Sequence, residues 1–307
     1  MMKGEEKAMP TETKLPLITR MRNKLNERGL WQDAVHRFFK NKLAVVGLII
    51  SMIFIFITIF AGFIAPYRYD KQDYMAISQP PSAKHLMGTD DLGRDILSRV
   101  IYGGRISISI SILVQFFALL IGLPLGAWAG YYGGRTDFIV MRLVDATMAF
   151  PSLLLAILIM VKMGPGFYNV LIAMAIVAWP SITRLVRGQF LSLRESEFVL
   201  AARSIGADEK RIIFQHILPN ALNPIIVAVT LGIPATIFRE AGLSFIGIGI
   251  VPPTPSWGQM VGSYYMSIQA YWWQSVCPAL TLALAILGFT LLSNGLQDAL
   301  TPKSSKG

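Results

Sequence analysis

Residues 195–219 read ESEFVLAARSIGADEKRIIFQHILP, from Glu195 to Pro219. The stretch lies between long apolar runs, is too polar to cross a bilayer, and is rich in good helix formers. Two short amphipathic helices with a break are expected. Phe198, Ala201, Ala202 and Ile205 fall at i, i+3, i+4 and i+7, which gives the first helix one apolar face. Gly206 suits its C-terminal stop, and Asp208 suits the cap of a second helix running through Phe214 and Ile217. Pro219 then opens the next apolar run. The small side chains of Ala201 and Ala202 would let another surface come close. The surrounding runs make the chain an all-α polytopic membrane protein.

Composition agrees. Of 307 residues, 53% are hydrophobic and only 15% charged, and the mean hydropathy is +0.52. The net charge of +10 would suit nucleic acid, but basic residues in a membrane protein record orientation, so no nucleic-acid partner is expected. One cysteine, Cys277, excludes an internal disulfide, and His36, His85 and His216 stand too far apart for a metal-ligand spacing. A polar stretch precedes the first apolar segment, which speaks against a cleaved signal peptide.

Residues 43–65 run without a charge, long enough to cross ~30 Å of hydrocarbon. Five further candidates follow at 106–130, 138–162, 168–189, 219–241 and 276–297, so about six transmembrane helices are expected. The chain divides into a tail (1–42), a first span with an external segment (43–105), a membrane core (106–298) and a C-terminal tail (299–307). Trp31, Val35, Phe38 and Phe39, with Arg37, Lys40 and Lys42, suit a short helix on the membrane surface or an extension of the next span. With the N-terminus inside, the inner segments hold 20 Lys/Arg and the outer segments 7. That bias places both termini and the 195–219 stretch in the cytoplasm.

Within the external segment, Asp90, Asp91 and Asp95 lack the long ligand series and closing glutamate of a calcium loop. Asp95 and Arg99, at i and i+4, suit a helix start with an ion pair. Gly122, Gly126, Gly130 and Gly134 repeat every four residues and form a face for close helix packing, inside the chain or against a second subunit. Pro124, Pro151, Pro180, Pro224 and Pro234 sit in or near spans and can kink them. Charges inside spans are costly and point to function. Arg142 and Asp145, at i and i+3, can pair with each other. Arg239 and Glu240 point about 100° apart and need other partners or the substrate.

Several motifs go further. Ala201–Ala202, Gly206 and Leu218–Pro219 resemble the "EAA" loop of ABC-importer permeases in spacing, with Leu200 at the position of its Glu and His216 at that of its Ile. MGTDDLGRDILSRVIYGGRIS (87–107), GYYGGRTD (130–137), DATMAFP (145–151) and FIGIGIVPPTPSWG (245–258) resemble the C-type permease of oligopeptide/dipeptide importers. The resemblance spans roughly residues 30–300. It implies the ABC importer type I permease fold in a bacterial or archaeal cell membrane. It implies that Glu197, Ala201, Ala202, Gly206, Ala207, Asp208, His216, Leu218 and Pro219 form a coupling loop that docks into a separate ATPase. The implied partners are a homologous B-type permease, two cytoplasmic ABC ATPases, an extracytoplasmic substrate-binding protein and the lipid bilayer. Gly122, Gly126, Gly130, Arg239 and Glu240 are the candidates for pathway or packing roles.

No G-x-x-x-x-G-K-[ST] phosphate loop occurs, nor H-E-x-x-H or G-x-S-x-G. No catalytic or metal-binding residue and no cofactor is therefore expected in this chain, ATP and magnesium belonging to the ATPases. The expected function is a permease for di- and oligopeptides. Nickel, glutathione or a peptide antibiotic are alternative cargoes. An ion-driven secondary transporter would leave the 195–219 stretch unexplained, and a mere membrane anchor would leave the family-like external segments unexplained.

Overall fold

The structure, a computed structural model, describes residues 32–301. Trp31 and the tails 1–31 and 302–307, with their basic residues, lie outside the described residues. Residues 32–40 form helix α1. Asn41 then interrupts the chain: its side-chain oxygen accepts from the Leu43 and Ala44 amides at 3.1 and 3.3 Å and caps α2, Lys42–Ile59. That cap makes α1 a separate helix and not an extension of the first span. Ala34 on α1 is buried with Val227 and Leu300.

A one-turn α3 (Ala61–Ile64) precedes the long connection 65–95. Next come α4 (Ile96–Tyr132), α5 (Gly134–Met148), α6 (Ser152–Met163) and α7 (Phe167–Arg194). They are followed by α8 (Glu197–Ser204), α9 (Glu209–Arg211), a π-helical turn (Ile212–Ile217) and α10 (Leu218–Phe245). The short α11 (Trp257–Tyr264) and the long α12 (Trp272–Leu300) complete the chain. Among the described residues five helices are long and apolar enough to cross a membrane, six if α5 and α6 count as one broken span.

Two expected boundaries need correction. The second span does not begin at residue 106 but at Ile96, because Asp95 accepts the Ser98 amide at 2.7 Å and starts the helix ten residues earlier. The third, expected as one span over 138–162, is two helices bent by 83° at residues 149–151. Pro151, which has no amide proton to donate, stands at that break.

Close packing holds the spans together where lipid offers no hydrophobic drive. α2 lies against α12 through small residues: a methyl added at Gly47 would stand 2.7 Å from Leu291 Cβ. α4 and α7 meet along Gly122, Gly126 and Gly130, whose added methyls would strike Ile182, Val186 and Phe190 at 2.9, 2.7 and 2.7 Å. The glycine face thus serves packing inside the chain. Gly134, with φ +55 and open space around it, begins α5 and is not part of that face.

The connection 65–95, with the start of α4, has a polar core of its own. Asp90, Asp95 and Arg99 are buried, and His85 Nδ1 lies 2.9 Å from Asp95 Oδ1. The expected Asp95–Arg99 pair is absent, since the helix cap and His85 occupy Asp95. Arg99 turns to Asp90 at 3.5 Å and donates to the Tyr69 carbonyl at 3.1 Å. Tyr264 on α11 donates to Asp90 or Asp91 at 3.2 and 3.1 Å and accepts from Arg94 at 3.2 Å, clamping the segment onto α11. Burial, then the Asp90 charge, pushes the Tyr264 phenol well above its ordinary value and keeps it a neutral donor. Burial pulls the Arg94 guanidinium down, but Asp90 and Tyr264 outweigh it and hold it above its ordinary value.

Candidate functional site

The loop between α7 and α10 is built on a firm floor. Val199 and Ala202, one helical turn apart, are buried on α8 in the cluster that contains Tyr131, Phe190, Ile212 and Ile217. The expected apolar face is therefore corrected. Phe198, Ala201 and Ile205 point away from the chain, 40% exposed at Phe198 and 82% at Ile205, because the floor takes the Val199–Ala202 edge of a two-turn helix. Of the alanine pair, Ala201 is open to another surface and Ala202 belongs to this chain's core.

Gly206 takes φ +81 and ends α8, as its sequence position predicts. Asp208 holds the N-cap position of the next helix, but its side chain makes no cap bond. The second helix does not stop at Pro219. From Glu209 through Phe245 the chain is one continuous helical rod of 37 residues, with Ile212–Ile217 wound as a π-turn. Glu197, Asp208 and Pro219 are exposed, while Ala207, His216 and Leu218 are half-buried. Together with Phe214, 65% exposed, the outward residues form an apolar surface edged by charge.

Side chains that the sequence reading missed tie this loop to the bundle. Arg203 stacks over the Tyr131 ring at 5.9 Å, and Tyr132 Oη donates to Glu209 at 3.2 Å. Arg194 donates to the Gly130 and Tyr131 carbonyls at 3.3 and 3.1 Å, satisfying the C-terminal end of α4. The expected Arg142–Asp145 pair does not form. Asp145 accepts from Arg184 of α7 at 2.7 Å, and Arg142 lies over Phe138 at 4.9 Å. One turn later on α7, Arg187 grips Asp137 with both arms of its guanidinium, one of the two bonds being 2.6 Å. These two Arg–Asp pairs bind the bent span to α7. Their partners lie 39 and 50 residues apart in sequence, so spacing rules for a single helix could not find them.

Farther along α10, Glu240 is fully buried and accepts hydrogen bonds from Ser107 and Ser244 at 2.7 and 2.8 Å, so it joins α10 to α4. Arg239 points elsewhere, as adjacency on a helix requires. It is exposed and lines a cleft with Thr236 and Leu243 of α10, Val114 of α4, Met174 and Val177 of α7, and the start of α6 at Ser152. Of the two residues, Glu240 serves the bundle and Arg239 faces open space.

Comparison with known proteins completes the picture. The family of binding-protein-dependent transport system inner membrane components matches residues 122–306, and the N-terminal transmembrane domain of oligopeptide transport permease C matches residues 29–81. The oligopeptide transport system permease protein of Bacillus subtilis strain 168 is 44% identical over 278 residues, 91% of either chain. The dipeptide transport system permease protein of Alkalihalophilus pseudofirmus is 46% identical over 89% of this chain and 90% of its own. The glutathione transport system permease protein of an Escherichia coli strain is 41% identical over 90% of this chain and 91% of its own. Among solved structures, the inward-facing MetNI methionine ABC transporter shares the fold, with a TM-score of 0.56 at 18% identity over 67% of this chain and 98% of that one.

Proposed function

Because this chain belongs to the family of binding-protein-dependent transport system inner membrane components, we propose that it is the permease subunit of an ATP-driven importer of di- and oligopeptides. One observation supports the coupling role above others: a loop anchored by buried Val199 and Ala202 presents Ala201, Ile205 and Phe214 outward as an unpartnered apolar surface. Such a patch at the end of a continuous helix suits a partner that moves. The partners are a homologous permease, two ATPases and an external binding protein, with ATP and magnesium held by the ATPases. The chain itself carries no catalysis, in keeping with its lack of a phosphate loop. Both termini and the loop face the cytoplasm of a bacterial inner membrane, as the Lys/Arg bias supports.

In this reading the ATPases close on ATP, and the loop carries their motion into α10. The bent span follows α7 through Arg184–Asp145 and Arg187–Asp137. The two permeases then rock as rigid bodies around the cargo. Purification in gentle detergent from the native membrane, with mass spectrometry of what co-purifies, tests it. Recovery of ATPases and a second permease, with ATP-dependent peptide uptake after reconstitution, is the expected result. The chain recovered alone, under conditions that keep other importers intact, would refute it. The glutathione transport relative makes glutathione a second cargo to include in the uptake assay.

A further inference from the structure

A guanidinium on a membrane helix must be accounted for. Facing lipid it would carry a heavy desolvation cost. Arg239 is exposed, and among the described residues it has neither an acidic partner nor a hydrogen bond, whereas its neighbour Glu240 is fully satisfied. The narrow cleft it borders is walled by buried side chains, Val114, Met174, Thr236 and Leu243 among them, while Ser152 of α6 is, like Arg239, an exposed residue of its wall. Opposite Arg239 stands the break in the α5–α6 span, where residues 149–152 are exposed. Irregular backbone within a membrane is tolerated only where it is buried in protein or lines a water-filled cavity. The start of α6 after the break and the uncommitted cation therefore border one and the same narrow cleft. At its edge α6 begins without a side-chain cap, adding unpaired amides of the same sign as the guanidinium.

We propose that Arg239, with Ser152 and the start of α6, receives the C-terminal carboxylate of the peptide during passage. This rests on the peptide-importer reading above. Peptides of every sequence share that carboxylate, so a cation bordering the cleft can hold any of them without reading side chains.

The test uses the whole importer, with its own ATPases, second permease and binding protein, in proteoliposomes. Uptake of short alanine peptides is compared as free acids and as C-terminal amides, in wild type, Arg239→Gln and Arg239→Lys. The binding protein is common to all three, so its own preference cancels between variants. We expect the acid-over-amide preference to fall at least about tenfold in Arg239→Gln, the loss that one charge-assisted hydrogen bond carries. Arg239→Lys should keep most of it. An equal loss for acid and amide would overturn the site and give Arg239 to an acid of the partner permease. An unchanged preference would overturn it as well. A wild-type complex that takes up neither form would overturn the peptide reading, and this site with it.

Discussion

Replacing Gly126 by alanine should pry α4 from α7. The new methyl would lie 2.6 Å from the Thr183 carbonyl oxygen and 2.7 Å from Val186 Cβ, where ordinary contact begins at 3.4 Å. Backbone on one side and a β-branched side chain on the other cannot swing away, so the helices must part by about 0.8 Å. Overpacking of this kind costs about 1–3 kcal/mol. Alanine also favours the helix over glycine by roughly 1 kcal/mol, which hides part of the damage. Gly188 supplies the control, since it lies on α7 with nothing within 4 Å of its added methyl. Gly188→Ala should therefore gain up to about 1 kcal/mol, and the difference between the two variants isolates the overpacking cost. Equilibrium unfolding in mixed detergent–SDS micelles measures both. Equal stabilities for Gly126→Ala and Gly188→Ala would refute the close approach of α4 and α7.

Asp137→Ala should lower stability by about 1–3 kcal/mol by leaving the half-buried Arg187 unpaired, and the exchange Asp137→Arg with Arg187→Asp should recover much of that loss in a double-mutant cycle. Gly206→Ala places a side chain at φ +81 at a cost of about 1–3 kcal/mol, with open space around it. We expect that cost to show as reduced coupling of ATP hydrolysis to uptake in a complex that still assembles; unaltered coupling would count against the loop's role. For Tyr264, the raised folded value means its contribution is intact below 10, the ordinary tyrosine value, and disappears as pH climbs through the folded value. The segment 65–95 should become protease-sensitive only at strongly alkaline pH, and Tyr264→Phe should remove that sharp onset.

Hydropathy made the spans legible, because a run like residues 43–65 has no other stable place. It could not place their ends. Residues 96–105 contain Arg99 and Arg105 and fall outside the expected span, although Asp95 marked a helix start; they run straight into α4, since Arg99 finds its counter-charge in Asp90. Nor could it see the break at residues 149–151, where Ala149, Phe150 and Pro151 continue an apolar run without a polar signal. In the loop, Gly206 was readable because positive φ leaves one good residue choice. Which of Ala201 and Ala202 turns inward was not, because that depends on Phe190 and Ile217, which come from other helices. The charged pairs failed for the same reason: tertiary partners at 2.6–2.7 Å outbid neighbours on the same helix.

The unbroken helix from Glu209 to Phe245 has a mechanical consequence. At 1.5 Å per residue it is a beam about 55 Å long. It is held along that length: Ala221 and Ile225 lie in the cluster under the loop, Val227 beside α1, Thr236 accepts from Gln115 of α4 at 2.8 Å, and Glu240 accepts from Ser107 at 2.7 Å. A rod fastened at so many points does not swing about any one of them. A push at the loop end must carry the packed helices with it, so displacement at one end reaches the other as motion of the bundle rather than of a single helix.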